Sequence, residues 1–285
     1  ESESKWWYLF FIGIGLGLLS KGPIILILTI PPIFTWFLIN KEEVQKLKKI
    51  PILSGLTLTF LISCPWYYLM ELKSPGFIDY FIYGEHFRRF FDSGWKGDLY
   101  GFAKQQPVGI VWLFSIMTIF PWSFIIISRF RKIIKEAYKN KWVCFLFCWM
   151  LFTPIFFTFS RSLIHTYTLP IAVPAALLIT HIWSDLKFKR YYLSVSVLLY
   201  LVILPVFYSG VLDKTIQNNC DKELVENKIV SDQSLFYLNY KSFSSQFYSL
   251  GSINMINLGQ LKDKIIEKEK FGIIIENSEI KKIDL

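Results

Sequence analysis

Pro51–Met70 reads PILSGLTLTFLISCPWYYLM and directly follows NKEEVQKLKKI at Asn40–Ile50. Twenty residues without a charge match the length of helix that crosses the hydrocarbon core of a bilayer. The stretch before them carries Lys41, Lys46, Lys48 and Lys49, the kind of short basic segment that stays on the cytoplasmic side of a span.

The same alternation continues in both directions. Apolar blocks are expected at about 6–19, 23–39, 51–70, 107–128, 142–159, 166–183 and 191–209, seven in all. Hydrophobic residues make up 53% of the 285, aromatics 18%, and the mean hydropathy is +0.40, too apolar for an ordinary soluble domain. The excess of 31 Lys+Arg over 22 Asp+Glu falls in short clusters between apolar blocks. That placement marks topology at a membrane surface and argues against a nucleic-acid partner.

Segments 40–50, 129–141 and 184–190 are densely basic and are expected on the cytoplasmic side. The Lys21 turn, the 71–106 loop, the Arg161 turn and the C-terminal tail then share the opposite side. Two regions follow: a transmembrane region, 1–211, with an extracytoplasmic loop at 71–106, and a small soluble α/β domain, 212–285. In the second, Leu235–Tyr240 and Phe271–Glu276 read as strands. Leu258, Leu261, Ile265 and Ile266 recur between them at helical spacing. Glu1–Lys5 has neither an initiator Met nor a signal-peptide pattern, so the chain is expected to be the later part of a longer polypeptide.

Cys64, Cys144 and Cys148 lie in apolar blocks and Cys220 stands alone, so no disulfide framework or metal set is expected. Phosphate-loop, nucleophile-elbow, zinc and dinucleotide signatures are absent. Charged groups at the membrane edge are the functional candidates instead. Lys21 sits between two spans, as a snorkelling lysine or as a cation aimed at an anionic head group. Glu85 and Arg89 are i,i+4 and His86 and Arg89 i,i+3, on an amphipathic helix whose apolar face is Phe77, Ile78, Phe81 and Ile82. That helix is either a solvated interfacial element or a phosphate-binding set. Arg161, His165 and Tyr167 form a third group, an anion site or part of an aromatic belt.

Several of these stretches resemble one family. They are Leu19-Ser20-Lys21-Gly22-Pro23, Cys64-Pro65-Trp66-Tyr67-Tyr68, Pro75-Gly76-Phe77, Gly84-Glu85-His86-Phe87 with Arg89-Phe90, Phe157 to Ser162 followed by Thr166-Tyr167, and Phe247-Tyr248. They resemble the bacterial branch of the protein-O-mannosyltransferase superfamily, which includes the 4-amino-4-deoxy-L-arabinose transferases acting on lipid A. The resemblance implies an α-helical polytopic membrane protein of GT-C type in the bacterial inner membrane, with its C-terminal domain extracytoplasmic.

It further implies a glycosyltransferase that takes a sugar from a polyprenyl-phosphate donor and passes it to lipid A or another glycan or protein acceptor. Lys21, Glu85, His86, Arg89, Arg161 and Tyr167 are the lipid-phosphate-binding residues by this resemblance. No cofactor is expected, and a divalent metal stays open. Two departures accompany it. Nothing corresponds to the family's acidic first extracytoplasmic loop, so the catalytic residues are unknown and this polypeptide alone is expected to be inactive. Relatives often carry Lys-Leu-Pro where this chain has Leu163-Ile164-His165. A transporter of a lipid-linked anion, or a non-catalytic remnant, are the alternative readings.

Overall fold

The first and third apolar blocks become α1 (Glu3–Lys21) and α3 (Ile52–Lys73), and small residues let them cross closely. A methyl group added at Gly55 would lie 2.1 Å from the ring of Phe11, and one at Gly15 would come within 3.0 Å of Ile62. The Thr59 hydroxyl donates to the Phe11 carbonyl at 2.9 Å, and Tyr8 and Ser54 share a hydrogen bond of 3.0 Å. Polar side chains in an apolar helix pair thus find partners across the crossing, as burial demands. The computed structural model describes residues 3–92, 95, 105–160, 162–211, 220–229, 234–239, 242–267 and 270–275. By its internal contacts the chain divides into two units, Glu1–Val195 and Ser196–Leu285.

In the first unit, α2 (Ile24–Ile39) packs on α6 (Lys141–Phe157), and a 3₁₀ helix, Lys41–Lys49, follows α2. The expected span at 107–128 is not continuous. It forms α4 (Ile110–Thr118) and α5 (Ser123–Ala137), whose axes bend by 107°. Pro121 sits in the break, where it has no N–H to continue the helical ladder. The basic stretch expected as a loop from Arg129 is consequently helical as far as Ala137. Its inward face, Ile125, Ile126 and Ile133, joins Val143, Leu146, Ile171 and Leu178 in the largest apolar cluster. The sixth block likewise splits, into a 3₁₀ helix His165–Ile171 and α7 (Ala172–His181).

Two helices, α3 and α8 (Lys189–Tyr208), are long and apolar enough to cross a membrane, or three spans if α4 and α5 count as one broken span. α2 and α6 are apolar but only 16 and 17 residues long. Length and composition among the described residues therefore support two or three spans, against the seven expected. Pro121, in the break between α4 and α5, is part of the reason.

Ion pairs and hydrogen bonds sort the connections into two sets. Lys141 pairs with Glu43 at 2.5 Å and Glu42 at 3.0 Å, and Lys132 pairs with Asp185 at 2.5 Å. These bonds join the three basic segments. On the other set, His86 reaches the Lys21 turn, and Gln105 forms a β-bridge with Ser162 beside the Arg161 turn.

The second unit contains a parallel sheet of order β2-β1-β3, with β1 Ser234–Leu238, β2 Asn254–Ile256 and β3 Phe271–Ile274. Both expected strands and the expected helix form, the latter as α11 (Leu258–Ile266), started by a capping box between Asn257 and Gln260. α9 (Lys222–Ile229) and α10 (Phe243–Tyr248) complete the unit. Alternation along β1 sends Tyr237 to a cluster with Val225 and Ile253, and Leu238 to another with Ile256 and Leu261.

One carboxylate ties α9, β1 and α10. Asp221 accepts from Tyr237 at 2.8 Å, Ser245 at 2.7 Å, Ser244 at 3.2 Å and also Ser242. Burial pushes its carboxyl up, but the hydroxyls of Ser242, Ser245, Tyr237 and Ser244 outweigh that and hold it below the ordinary value.

Two predictions follow from this packing. Gly55→Val should cost about 1–3 kcal/mol by overpacking, read as a lowered Tm of the chain in detergent. Gly13→Ala, whose added methyl meets nothing within 4 Å, should not lower it. Because the folded value of Asp221 is depressed, its stabilisation is present above the unfolded carboxyl value of about 3.9. It fades as pH falls through the folded value. Amide protection in β1, corrected for the intrinsic pH dependence of exchange, should therefore fall on acidification in the wild type, and Asp221→Asn should be weakly protected already at neutral pH with a smaller further response to acid.

Candidate functional site

The C-terminal end of α1 leaves carbonyls that need partners, as every helix end does. The Leu18 carbonyl accepts from the Gly22 N–H at 2.9 Å and the Tyr67 hydroxyl at 2.7 Å. The Lys21 carbonyl accepts from His86 Nε2 at 3.0 Å. Gly22 has φ +70°, the left-handed conformation that commonly ends helices. A Cβ there would also lie 2.7 Å from Phe81 and 2.8 Å from His86. Lys21-Gly22-Pro23 is thus a turn clamped from α3 and from the segment that follows it.

That segment, Asp79–Arg88, is wound as a π-helix and runs into one α-helical turn, Arg89–Phe91. Glu71, near the end of α3, accepts from the backbone N–H groups of Gly76 at 2.8 Å and Ile78 at 2.8 Å, so the start of the segment is held. Phe77 stacks on Phe81 with centroids 5.4 Å apart, and both lie beside Tyr67. The apolar face expected from the sequence therefore contains a pair that packs on α3.

π winding decides the polar geometry. Residues five apart become neighbours, and two such pairs form: Tyr80 donates to Glu85 Oε1 at 2.7 Å, and His86 Nδ1 meets the Phe81 carbonyl at 2.7 Å. The other Glu85 oxygen, Oε2, pairs with Arg89 Nη1 at 2.6 Å. Both Glu85 oxygens therefore have donors, and the carboxylate's role is to position Arg89. His86 faces a carbonyl through each ring nitrogen.

Tyr167 packs against Phe157 with centroids 5.3 Å apart and belongs to a cluster with Phe90, Leu28, Val111 and Leu163. Phe90 in turn stacks on Phe156 at 4.9 Å. The residue next to Arg89 thus connects the π-helical segment to the third candidate group. Arg161 lies outside the described residues. His165 is exposed, and its carbonyl accepts from Thr168 at 2.7 Å. The structure brings Lys21, Glu85, His86 and Arg89 onto one turn-and-helix assembly, with Tyr167 in an apolar cluster beside it.

Sequence reading missed Tyr67, Tyr80 and Trp95 as supports. Trp95 covers Gly84, where an added Cβ would be 2.8 Å from its ring. Tyr67 and Trp95 meet their partners across the fold, and Tyr80 meets Glu85 only because the helix is overwide. The polar hydroxyl of Tyr67 inside an apolar block was the one available signal. Among the described residues no three of His, Cys, Asp and Glu gather as a metal-ligand set.

This helical arrangement has a counterpart among solved structures. The crystal structure of ArnT from Cupriavidus metallidurans bound to undecaprenyl phosphate superposes with a TM-score of 0.64 at 14% identity, over 94% of this chain and 60% of that one. At that identity the likeness speaks for the fold. The family model described as dolichyl-phosphate-mannose-protein mannosyltransferase matches residues 1–69.

The undecaprenyl phosphate-alpha-4-amino-4-deoxy-L-arabinose arabinosyl transferase of Erwinia tasmaniensis is 26% identical over 178 residues, covering 61% of this chain and 30% of its own length. Arabinosyl transferase 1 of Pseudomonas fluorescens is 26% identical over 239 residues, covering 81% and 39%. The chain is thus similar to the ArnT-type transferases, in line with the motif resemblance. It spans about a third of the length of these curated relatives.

Gly22→Ala should lower Tm in detergent by the equivalent of about 1–3 kcal/mol, because a methyl group there meets both the left-handed backbone and two rings. His86→Ala should lower it too, whereas His86→Gln, which keeps a side-chain N–H donor for a backbone carbonyl, should recover part of the loss.

Proposed function

We propose that this chain supplies the donor-phosphate-holding part of a membrane glycosyltransferase that uses a polyprenyl-phosphate-linked sugar. The observation that carries the reading is the clamped Lys21-Gly22 turn, bonded to His86 next to the Glu85–Arg89 pair. In such a transfer the bond between the anomeric carbon and the phosphate oxygen breaks, and negative charge builds on the departing lipid phosphate. Cations fixed beforehand stabilise that charge more than they stabilise the intact donor.

Lys21 and Arg89 are the groups we assign to the phosphate, with Arg161 and Tyr167 completing the set. Glu85 orients Arg89, and His86 clamps the turn. We assign no general acid or base to this chain, so catalysis is the work of the whole protein. We place residues 1–211 in the bacterial inner membrane as a multi-pass region with the 71–106 segment outside, and residues 212–285 as an extracytoplasmic domain. Grouping of the loops into two bonded sets supports that sidedness. The acceptor we propose is lipid A or another envelope glycan, because the arabinosyl transferases are the curated relatives.

Undecaprenyl phosphate titrated into the detergent-purified chain tests the reading by native mass spectrometry. Wild type should retain the lipid, and Lys21→Ala and Arg89→Ala should each weaken retention by about ten-fold or more, the scale of a lost charge-assisted contact. Undecaprenol, without the phosphate, should be held equally poorly by all three. Equal retention of the phosphate by wild type and both variants would refute the assignment.

A further inference from the structure

The chain's entire charge surplus sits on one face, opposite the candidate site in the connectivity. Segments 41–49, 129–141 and 184–190 contain thirteen Lys or Arg and four Asp or Glu, a surplus of nine that equals the net +9 of the whole chain. The remaining residues are therefore balanced, eighteen against eighteen.

All four acids on this face are engaged with bases of the same face. Glu42 and Glu43 contact Lys141, Glu43 also pairs with Lys46 at 2.6 Å, Asp185 pairs with Lys132, and Glu136 lies 3.9 Å from His181. Arg129 adds a bond of 3.4 Å to the Asp185 carbonyl, and the Trp36 ring N–H donates to the Lys141 carbonyl at 2.8 Å. These contacts stitch three segments far apart in sequence into one platform. Arg131, Lys135, Lys139, Lys187, Lys189 and Arg190 remain exposed and make no ion pair among the described residues.

Large aromatic side chains surround these cations and are also uncovered: Tyr138 is 85% exposed, Phe188 71%, Tyr191 67% and Trp142 50%. On α5 the exposed Phe124 and Ile127 flank Arg131 and Lys135 on the side away from the buried isoleucines. Unpaired cations with exposed rings at helix ends match the head-group layer, where aromatic rings and basic side chains both settle.

We propose that this platform, α5 with the 41–49 and 184–191 connections, docks the head groups of anionic phospholipids. Charge complementarity selects the occupant: the internal acids are spent on the stitching, so the outward face presents cations without counter-ions. Zwitterionic lipids offer the same acyl chains and no net charge. The inference rests on the membrane reading of α3 and α8 and is independent of the donor-phosphate assignment.

The full chain in nonionic detergent, titrated with phosphatidylglycerol or with phosphatidylethanolamine of the same acyl composition, tests it by native mass spectrometry. Wild type should retain phosphatidylglycerol at least ten-fold better, and added salt should narrow the preference. Replacing Arg131, Lys135, Lys187 and Lys189 together by Gln should abolish the preference, while changing the three lysines to Arg should keep it. All four are exposed, and an unchanged Tm would show that the fold survives. Undecaprenyl phosphate retention, measured in parallel, should be unaffected by the quadruple Gln change. Retention of both lipids alike by wild type, or an undiminished preference in the folded Gln variant, would overturn the proposal.

Discussion

The end of α1 must find partners for its last carbonyls in surroundings that are largely apolar, and the structure meets that demand with Tyr67 and His86. Tyr67 comes from α3, whose close crossing with α1 depends on Gly55 and Gly15. His86 comes from the π-helical segment, which is held at its start by Glu71 and against α3 by Phe77 and Phe81. Position of the Lys21 side chain thus depends on a chain of contacts that begins in helix packing. The contacts fix where the Lys21 side chain leaves the backbone.

Carboxylates in the first unit serve as joints. Glu71 anchors the π-helix start, Glu85 holds Arg89, Glu43 ties the 41–49 turn to α6, and Asp185 ties the end of α7 to α5. Exposed pairs contribute little to stability individually, on the order of 0–1 kcal/mol. Their value here is geometric: the Glu43–Lys141 and Lys132–Asp185 pairs bring together segments dozens of residues apart, and the other two fix local winding. The same economy leaves unpaired cations concentrated on one face, and gives the second unit its own joint in Asp221.

Much of this was legible in advance. The strands near 235 and 271, the helix at 258–266 and the Glu85–Arg89 pair all follow from local periodicity, because each depends on residues within one or two turns. The span at 107–128 was read as continuous because composition does not register a bend at Pro121. The π-helix was invisible for a related reason: α-helical spacing pairs residues three or four apart, and the contacts of Tyr80 with Glu85 and Phe81 with His86 run to five.

Composition and charge order determined that the chain is helical, apolar and two-sided, since hydrophobic length and basic clustering are properties of consecutive residues. They also marked Lys21, Glu85, His86, Arg89, Arg161 and Tyr167, whose charge or hydroxyl stands out against an apolar background. Tertiary structure decided which of those groups meet, and in what role. Glu85 was counted among phosphate-binding residues and has both oxygens occupied by Tyr80 and Arg89; His86 was counted with it and bonds two carbonyls. Hydrogen-bond partners sixty-five residues apart, such as Lys21 and His86, are set by how helices pack, which no local pattern encodes.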